Sequence, residues 1–446
     1  MDRSNYSISM ISLGCSKNLV DAECMVKRLK DAGYNYSEDN RADVLIINTC
    51  GFIESAKKEA IDTILSAGDL KSEGLIKYII VSGCLPQRYS KDILKEMPEV
   101  DIVLGTSHYK DILEAVDSLL LQSDIQNEYV TEAGGIDHLS FGREISTKSF
   151  AWLKIGEGCL NRCSFCAIPL IRGKFISRPL EEILEEARML AGQGYKEIIL
   201  AAQDTTNYGL DLYKKRSLPV LLRELSKING IDLIRVMYGY MDGIDDELIE
   251  EIATNPKVAH YLDIPIQHGD DEVLRRMNRR DTADKITETL QRLRSRIPDI
   301  IIRTTVLVGF PGETEEQFET LKENLRKWRF DRLGCFSFSP EEGTKAYDMD
   351  DQIPEEVKAH RNKEIYDLQS SISLESNNAR LGSIVTITID SISEDGIFYI
   401  GRSYGEAPEV DPSIYVLARN GELQIGQRVE VEIVEASQYE LTGVTR

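Results

Sequence analysis

The stretch Gly158-Cys159-Leu160-Asn161-Arg162-Cys163-Ser164-Phe165-Cys166 spaces three cysteines as Cys-x3-Cys-x2-Cys. Offsets of four and three suit one face of a helix, so a buried packing stripe is the plain alternative. Gly156, Gly158, Asn161 and Pro169 argue against a regular helix here. The stretch also follows residues 152–155, a short apolar strand that opens a run of β/α units. Barrels of such units carry their chemistry at the C-terminal ends of the strands. Three thiolates can hold three irons of a cubane [4Fe–4S] cluster and leave the fourth open. An open iron can bind the amino and carboxylate groups of S-adenosylmethionine, and one electron can then cleave the sulfonium to a 5′-deoxyadenosyl radical. Zinc fits this spacing less well, because it takes four ligands, or three and a water.

Working outward, strand candidates at 152–155, 197–201, 233–238, 262–266, 300–308 and 333–338 alternate with helices. Two such helices are 180–190 behind Pro179 and 315–328 behind Pro311-Gly312. Six successive units predict a partial (β/α)6 barrel over residues 149–379. Upstream, residues 8–13, 44–47 and 78–81 read as strands, and 20–29, 54–67, 91–96 and 110–121 as helices. Near-continuous apolar strands alternating with helices predict a buried parallel sheet, an α/β domain over residues 5–122. Residues 123–148 are polar, contain Gly134-Gly135 and lack periodicity, which predicts a linker. Residues 384–390, 397–401, 414–417, 429–434 and 439–444 are short and β-branched, with turn signals at Asp395-Gly396 and Asn420-Gly421. They predict a small five-stranded β-barrel of the oligonucleotide-binding kind over 380–446.

A second constellation is spread along the first sheet. Gly14-Cys15, Cys50-Gly51 and Gly83-Cys84 each follow a strand, one β/α unit apart. Parallel strands all point one way, so the three thiols are expected at one sheet edge, where open α/β sheets bind ligands. Neighbouring glycines allow backbone to approach a bulky object closely. Three independent core cysteines are the alternative to a second three-thiolate cluster. Cys24 and Cys335 read as packing residues, and His268 as a loop histidine facing either a cofactor or an ordinary hydrogen bond.

Composition bounds the rest. At 446 residues the chain is sized for about three domains. Its 42% hydrophobic and 29% charged residues are ordinary globular usage, and 31 Gly with 13 Pro exclude collagen and low-complexity disorder. Eight cysteines are too sparse for a disulfide scaffold and read as metal or redox groups in a reducing compartment. No apolar run approaches the ~18 residues of a membrane span, and Met1-Asp2-Arg3-Ser4-Asn5 leads into no signal-like stretch, so the cytoplasm is expected. With 53 Lys and Arg against 75 Asp and Glu, the net charge of −22 disfavours nucleic acid and suits a basic protein partner. Residues 380–446 hold five Arg, no Lys and eleven Asp or Glu, a net of −6 that points the same way.

The cysteine loop and the β/α region resemble the radical S-adenosylmethionine superfamily. Ala202-Gln203-Asp204-Thr205-Thr206 and Val308-Gly309-Phe310-Pro311-Gly312-Glu313-Thr314 leave the second and fifth strands, where that superfamily wraps its cofactor. The resemblance implies cofactor contacts from Phe165, Gln203, Asp204, Gly309 and Phe310. Over essentially its whole length the chain resembles the methylthiotransferase family. Ser12-Leu13-Gly14-Cys15-Ser16-Lys17-Asn18-Leu19-Val20-Asp21-Ala22-Glu23 is similar to the branch that modifies a ribosomal protein. So are Asp263-Ile264-Pro265-Ile266-Gln267-His268 and Ser339-Pro340-Glu341-Glu342-Gly343-Thr344. The transfer-RNA branch usually has Gln-Met-Asn after the first cysteine and Pro-Arg-Pro-Gly-Thr at the last site. Met241 and Ala22 depart from the branch, which often has Pro and Ser there, and neither is an implied ligand.

The resemblance implies that Cys159, Cys163 and Cys166 hold the radical-generating [4Fe–4S] cluster. Cys15, Cys50 and Cys84 then hold an auxiliary [4Fe–4S] cluster whose open iron takes exogenous sulfide, and the terminal barrel is a substrate-binding TRAM domain. Two S-adenosylmethionine molecules are consumed. The implied substrate is an aspartate of small-subunit ribosomal protein S-twelve, converted to 3-methylthioaspartate; the electron donor is not legible. A transfer-RNA adenosine methylthiotransferase and a non-catalytic metal-binding ribosome assembly factor are the other readings.

Overall fold

Val44-Leu45-Ile46-Ile47 is apolar at every position, so both faces of that strand need cover. In the computed structural model, which describes residues 2–121, 126–419 and 421–446, they have it. Residues 123–125 of the expected linker, and Asn420 of the expected turn, lie outside the described residues. The opening elements are β1 (Ser7–Ser12), α1 (Ser16–Asp31), β2 (Asn35–Tyr36), β3 (Val44–Thr49), α2 (Glu54–Ser72), β4 (Tyr78–Gly83), α3 (Cys84–Glu96), β5 (Ile102–Leu104), α4 (Ile112–Leu121) and β6 (Glu128–Tyr129). The strands form one parallel sheet in the order β2-β1-β3-β4-β5-β6. Val44 and Ile46 pack with Met25 and Leu29 on one face, and Leu45 and Ile47 pack with Ile64 and Ile79 on the other.

The register aligns the strand ends: Ser12 pairs with Asn48, and Thr49 pairs with Gly83. Cys50 and Cys84 therefore leave the sheet side by side. Helix α3 starts at Cys84, seven residues before the expected 91–96, because Pro86 is tolerated in a first turn whose N–H groups need no helical partner. Residues 126–148 are not slack. Glu128–Tyr129 extends the sheet, and His138 and Arg143 are buried.

By internal contacts the chain divides into two compact units. The first comprises Met1–Ser146, Lys154–Glu182 and Ser339–Tyr347; the second comprises Thr147–Leu153, Ile183–Phe338 and Asp348–Arg446. Next along the chain come β7 (Phe150–Lys154), β8 (Gly156–Glu157), α5 (Ile168–Ile171), β9 (Ile176–Ser177), α6 (Leu180–Gly192), β10 (Glu197–Ala201), α7 (Leu218–Ser226), β11 (Leu233–Val236), α8 (Asp246–Thr254) and β12 (Val258–Asp263). They are followed by α9 (Asp271–Arg276), α10 (Ala283–Arg296), β13 (Ile301–Val308), α11 (Glu315–Trp328), β14 (Arg332–Ser337) and α12 (Glu355–Asn378). Six strands form an open sheet in the order β14-β13-β12-β11-β10-β7, the expected six-unit arrangement. The fourth strand ends at Asp263, short of the expected Ile266, because Pro265 has no N–H to donate and Gln267 adopts a left-handed backbone with φ of 70°. Helix α11 begins with a capping box between Thr314 and Gln317.

The last strands, β15 (Ile384–Ile392), β16 (Tyr399–Arg402), β17 (Ile414–Leu417), β18 (Arg428–Ala436) and β19 (Leu441–Thr445), close into a barrel around Ile387, Ile389, Ile414, Val416, Val431 and Ile433. Buried ion pairs join it to the open sheet. Glu197, at the start of β10, pairs with Arg235 at 3.0 Å and with Arg402 of the barrel at 3.0 Å.

Gly83 links β4 to Cys84 with φ of 104°, and an added Cβ would meet the Thr49 carbonyl oxygen at 2.5 Å. Gly83→Ala is expected to cost about 1–3 kcal/mol of stability, read as a lower urea midpoint of the apoprotein.

Candidate functional site

Glycines let the segments that carry the first trio approach closely. A Cβ on Gly14 would sit 2.7 Å from Cys50 Cβ and 3.2 Å from its Sγ. A Cβ on Gly51 would sit 2.8 Å from the Leu85 backbone and 3.0 Å from the Cys84 carbonyl carbon. Asn18 knots these strand ends together. Its Nδ2 donates to the carbonyls of Leu13 and Thr49 at 2.9 and 3.0 Å, and Cys84 Sγ lies 3.8 Å from its Oδ1. Cys15 is the N-cap of α1 and Cys84 the first residue of α3, so both thiols stand at the positive ends of helices, which favours thiolate.

The three differ electrostatically. Crowding opposes ionisation of Cys15, but the charges of Lys17 and Arg172 and the N–H groups of Asn18 and Lys17 hold its thiol below the ordinary value. Burial pushes Cys50 up to about 12, helped by the neighbouring Cys84 and Cys15. Burial also raises Cys84, against the pull of Arg172.

The second trio occupies an irregular loop in the same unit. Gly158 has φ of 77°, and an added Cβ would strike the Lys174 carbonyl oxygen at 2.3 Å. Asn161 donates from its backbone and side chain to Cys159 Sγ, both at 3.5 Å. The Cys166 N–H donates to the Cys163 carbonyl at 3.1 Å. All three thiols and Phe165 are half-buried. Cys84 packs in a buried cluster with Ala167 and Ile171, and Ala167 directly follows Cys166. Among the described residues no three His, Cys, Asp or Glu side chains stand close enough together to hold a single metal ion.

Around these loops lies a buried ion cluster that sequence reading missed. Asp21 receives Lys154, His138 Nε2 at 2.7 Å and Arg172 Nη1 at 2.6 Å. Glu157 receives Arg172 at 2.9 Å and also pairs with Lys154. Burial alone would raise both carboxyls; the Lys154 and Arg172 charges hold Asp21 far below the carboxylate range and Glu157 below it. Glu23 pairs with Arg143 at 2.5 Å. No local pattern announces these pairs, because Asp21, His138, Lys154, Glu157 and Arg172 are scattered over 150 positions.

Residues 339–347 brace the same unit. The buried Glu341 pairs with Arg88 at 2.9 Å and Lys57 at 3.2 Å. Arg88 also donates to the Gly51 carbonyl at 2.8 Å. Ala346 N–H donates to the Ser164 carbonyl at 2.8 Å, between Cys163 and Cys166.

The other predicted residues lie in the second unit. Gln203 and Asp204 follow β10. Asp204 caps a short turn, accepting from Thr206 N at 3.1 Å and Asn207 Nδ2 at 2.6 Å. Gly309 and Phe310 follow β13. Gly309 has φ of 73°, and Phe310 is buried edge-on to Phe338, centroids 5.6 Å apart. Glu313 accepts from the N–H groups of both and pairs with Arg361 at 3.3 Å. His268 Nδ1 accepts from Asp270 N at 3.0 Å and its Nε2 lies 3.2 Å from Glu313, so His268 braces this loop. Cys24 and Cys335 are buried.

Family models match three stretches: a radical SAM superfamily model over residues 153–325, an uncharacterised protein family (UPF0004) over 7–105 and a TRAM domain over 381–445. A protein of Thermoanaerobacter sp. (strain X514) named "Ribosomal protein uS12 methylthiotransferase RimO" is 48% identical over 98% of this chain and 99% of its own. Proteins of the same name from Acetivibrio thermocellus and Geobacter sulfurreducens are 47% and 46% identical, over 98% and 99% of this chain and 97% and 99% of their own. The radical S-adenosylmethionine methyltransferase TsrM from Kitasatospora setae, solved with cobalamin and a [4Fe–4S] cluster, shares the fold with a TM-score of 0.58 and 13% identity, over 78% of this chain and 74% of that one.

Two outcomes follow from the buried charges. Asp21→Ala leaves the buried Lys154 and Arg172 sharing the one carboxylate of Glu157 and is expected to cost about 3–5 kcal/mol in apoprotein unfolding. His138 is held below its ordinary value by burial, against Asp21. As pH falls below about 6.5, the unfolded chain takes up a proton the folded chain refuses, so stability drops by up to about 1.4 kcal/mol per pH unit. His138→Gln should flatten that slope between pH 6.5 and 5; an unchanged slope places the proton elsewhere.

Proposed function

The chain belongs to the ribosomal protein uS12 methylthiotransferase family, within the radical S-adenosylmethionine superfamily, and from that premise we propose that it converts an aspartate of uS12 to 3-methylthioaspartate. It is a transferase that uses S-adenosylmethionine and a [4Fe–4S] cluster. Cys159, Cys163 and Cys166 would hold that cluster, and Cys15, Cys50 and Cys84 a second. When bound, the first supplies the electron that cleaves S-adenosylmethionine to a hydrogen-abstracting radical, and the second supplies an open iron for exogenous sulfide. The aspartate β-carbon has too weakly acidic a C–H bond for an ordinary general base, which is why a radical route is needed.

One packing cluster supports this function: the buried Cys84 shares it with Ala167, the residue after Cys166, and with Ile171, so the segment that carries the second trio packs beside a cysteine of the first. The donor sets fit the groups. Each trio would leave one corner of a cube unligated; Lys17 and Arg172 favour thiolate at Cys15, and at Cys84 Arg172 offsets part of what burial costs. The chain's other residues hold shape. Asp204 ties the loop after β10, and Glu313 fixes the two N–H groups after β13. Gln203, Phe165, Gly309 and Phe310 would complete the nucleoside and methionine contacts. The acidic terminal barrel suits a basic ribosomal protein, free or on the ribosome, in the cytoplasm. Among the described residues no helix is long and apolar enough to cross a membrane.

Anaerobic reconstitution is expected to give about eight irons per chain, four for each cubane. Cys159→Ala should abolish 5′-deoxyadenosine release. Cys50→Ala should retain release but lose methylthio product, and methylthiolated uS12 from that variant would remove the auxiliary cluster from the reaction. Incubation with uS12 and, separately, with unmodified transfer RNA tests the substrate by mass spectrometry; methylthio-adenosine without modified aspartate would overturn it.

A further inference from the structure

Arg172 makes one contact that charge balance does not require. It caps α5, six residues after Cys166, with its side chain buried. Nη1 is used by Asp21 at 2.6 Å and Glu157 at 2.9 Å. Nη2 donates to Asn18 Oδ1 at 2.6 Å and reaches Cys84 Sγ at 3.4 Å, an N–H···S contact. The face of Tyr109 lies 5.8 Å from the guanidinium carbon. Asp21 and Glu157 hold the planar fork in one orientation, and that orientation aims its second arm at the thiol. Two carboxylates would be satisfied by a lysine; a rigid fork reaches a third and fourth acceptor at once.

On the assignment of Cys15, Cys50 and Cys84 to a cluster, we propose that Arg172 is a positioning residue that donates a hydrogen bond to the Cys84 thiolate and thereby raises the reduction potential of that cluster. Hydrogen bonds to ligand sulfur, and nearby positive charge, favour the state with the added electron. Arg172 links the two trios: it follows Cys166 of one by six residues and touches Cys84 of the other. The segment that orders the radical-generating loop therefore also tunes the sulfur-handling one.

The test uses the full-length chain with Cys159, Cys163 and Cys166 all changed to Ala, reconstituted anaerobically and titrated with dithionite while the reduced cluster is followed by electron paramagnetic resonance. About four irons per chain are expected in this background. Adding Arg172→Gln should keep the iron and lower the ratio of reduced to oxidised cluster about tenfold at a fixed potential, a shift of about −59 mV for one electron. Arg172→Lys, which keeps the charge and loses the fork, should fall between. Asp21→Asn alone leaves the sulfur contact and should not lower the potential. If Arg172→Gln does not fold, Asp21→Asn with Arg172→Gln removes an anion with the cation and is read in its place. Full iron with an unmoved potential in the Gln and Lys variants, or in the double variant, overturns the proposal and leaves Arg172 a buried counter-ion. A background that takes up no iron is a different result: it removes the second cluster itself, and the tuning role with it.

Discussion

Lys154, Arg172, Asp21 and Glu157 are sealed from water together, and each buried ion forfeits several kcal/mol of hydration. The arrangement holds because every charge has at least two partners. Its consequence is positional. Glu157 lies just before the Cys159–Cys166 loop and Arg172 just after it, and both are pinned, one through Arg172 and Lys154, to Asp21 on the helix that starts at Cys15. The two ends of one cysteine loop and the helix behind another cysteine are thus fixed by a single set of ion pairs. Moving one would unpair the rest, so the thiol-bearing segments share one rigid frame.

Much of this was legible in the chain. The sheet strands announce themselves because both faces are covered, leaving unbroken runs such as Val44-Leu45-Ile46-Ile47 and Tyr78-Ile79-Ile80-Val81. The terminal barrel shows in its short β-branched strands. Five strands were not legible: β2, β5, β6, β8 and β9 are two or three residues long and exist because a neighbouring strand offers unpaired backbone groups. The start of α3 hid behind Leu85-Pro86. Polarity over 126–148 suggested slack, yet His138 and Arg143 are polar because they meet buried carboxylates.

The cysteines were legible because strand ends recur at the length of one β/α unit. Their supporting charges were not, since a pairing between α1 and the segment after α5 has no period. The glycines beside the cysteines were expected to make room for a bulky group. They do something more local: Gly14 lets the Cys50 side chain, and Gly51 the Leu85 backbone, close to distances a Cβ would forbid. Small residues beside these cysteines set the spacing between thiols by removing what would hold the strand ends apart.

The terminal barrel raises a question of sign. Three of its five arginines are turned inward or sideways into ion pairs: Arg402 with Glu197 and Asp390, Arg380 with Glu406, and Arg428 with Asp232. Glu394, Glu422, Glu430, Glu435 and Glu440 face solvent. A surface that grips phosphates needs uncommitted cations, each displacing a counter-ion from the nucleic acid. Here most of the positive charge is spent holding the barrel, and what faces water is acidic. Such a field accelerates encounter with a basic protein more than it tightens the final complex, and salt screens it over about 8–10 Å. The barrel's joint with Glu197 and Arg332 lies at the starting ends of β10 and β14, whereas Asp204 and Gly309 follow the finishing ends of β10 and β13. Within that unit, the joint of the barrel and the loops tied by Asp204 and Glu313 therefore lie at opposite ends of one sheet, so the ion pairs that seat the barrel leave those loops untouched.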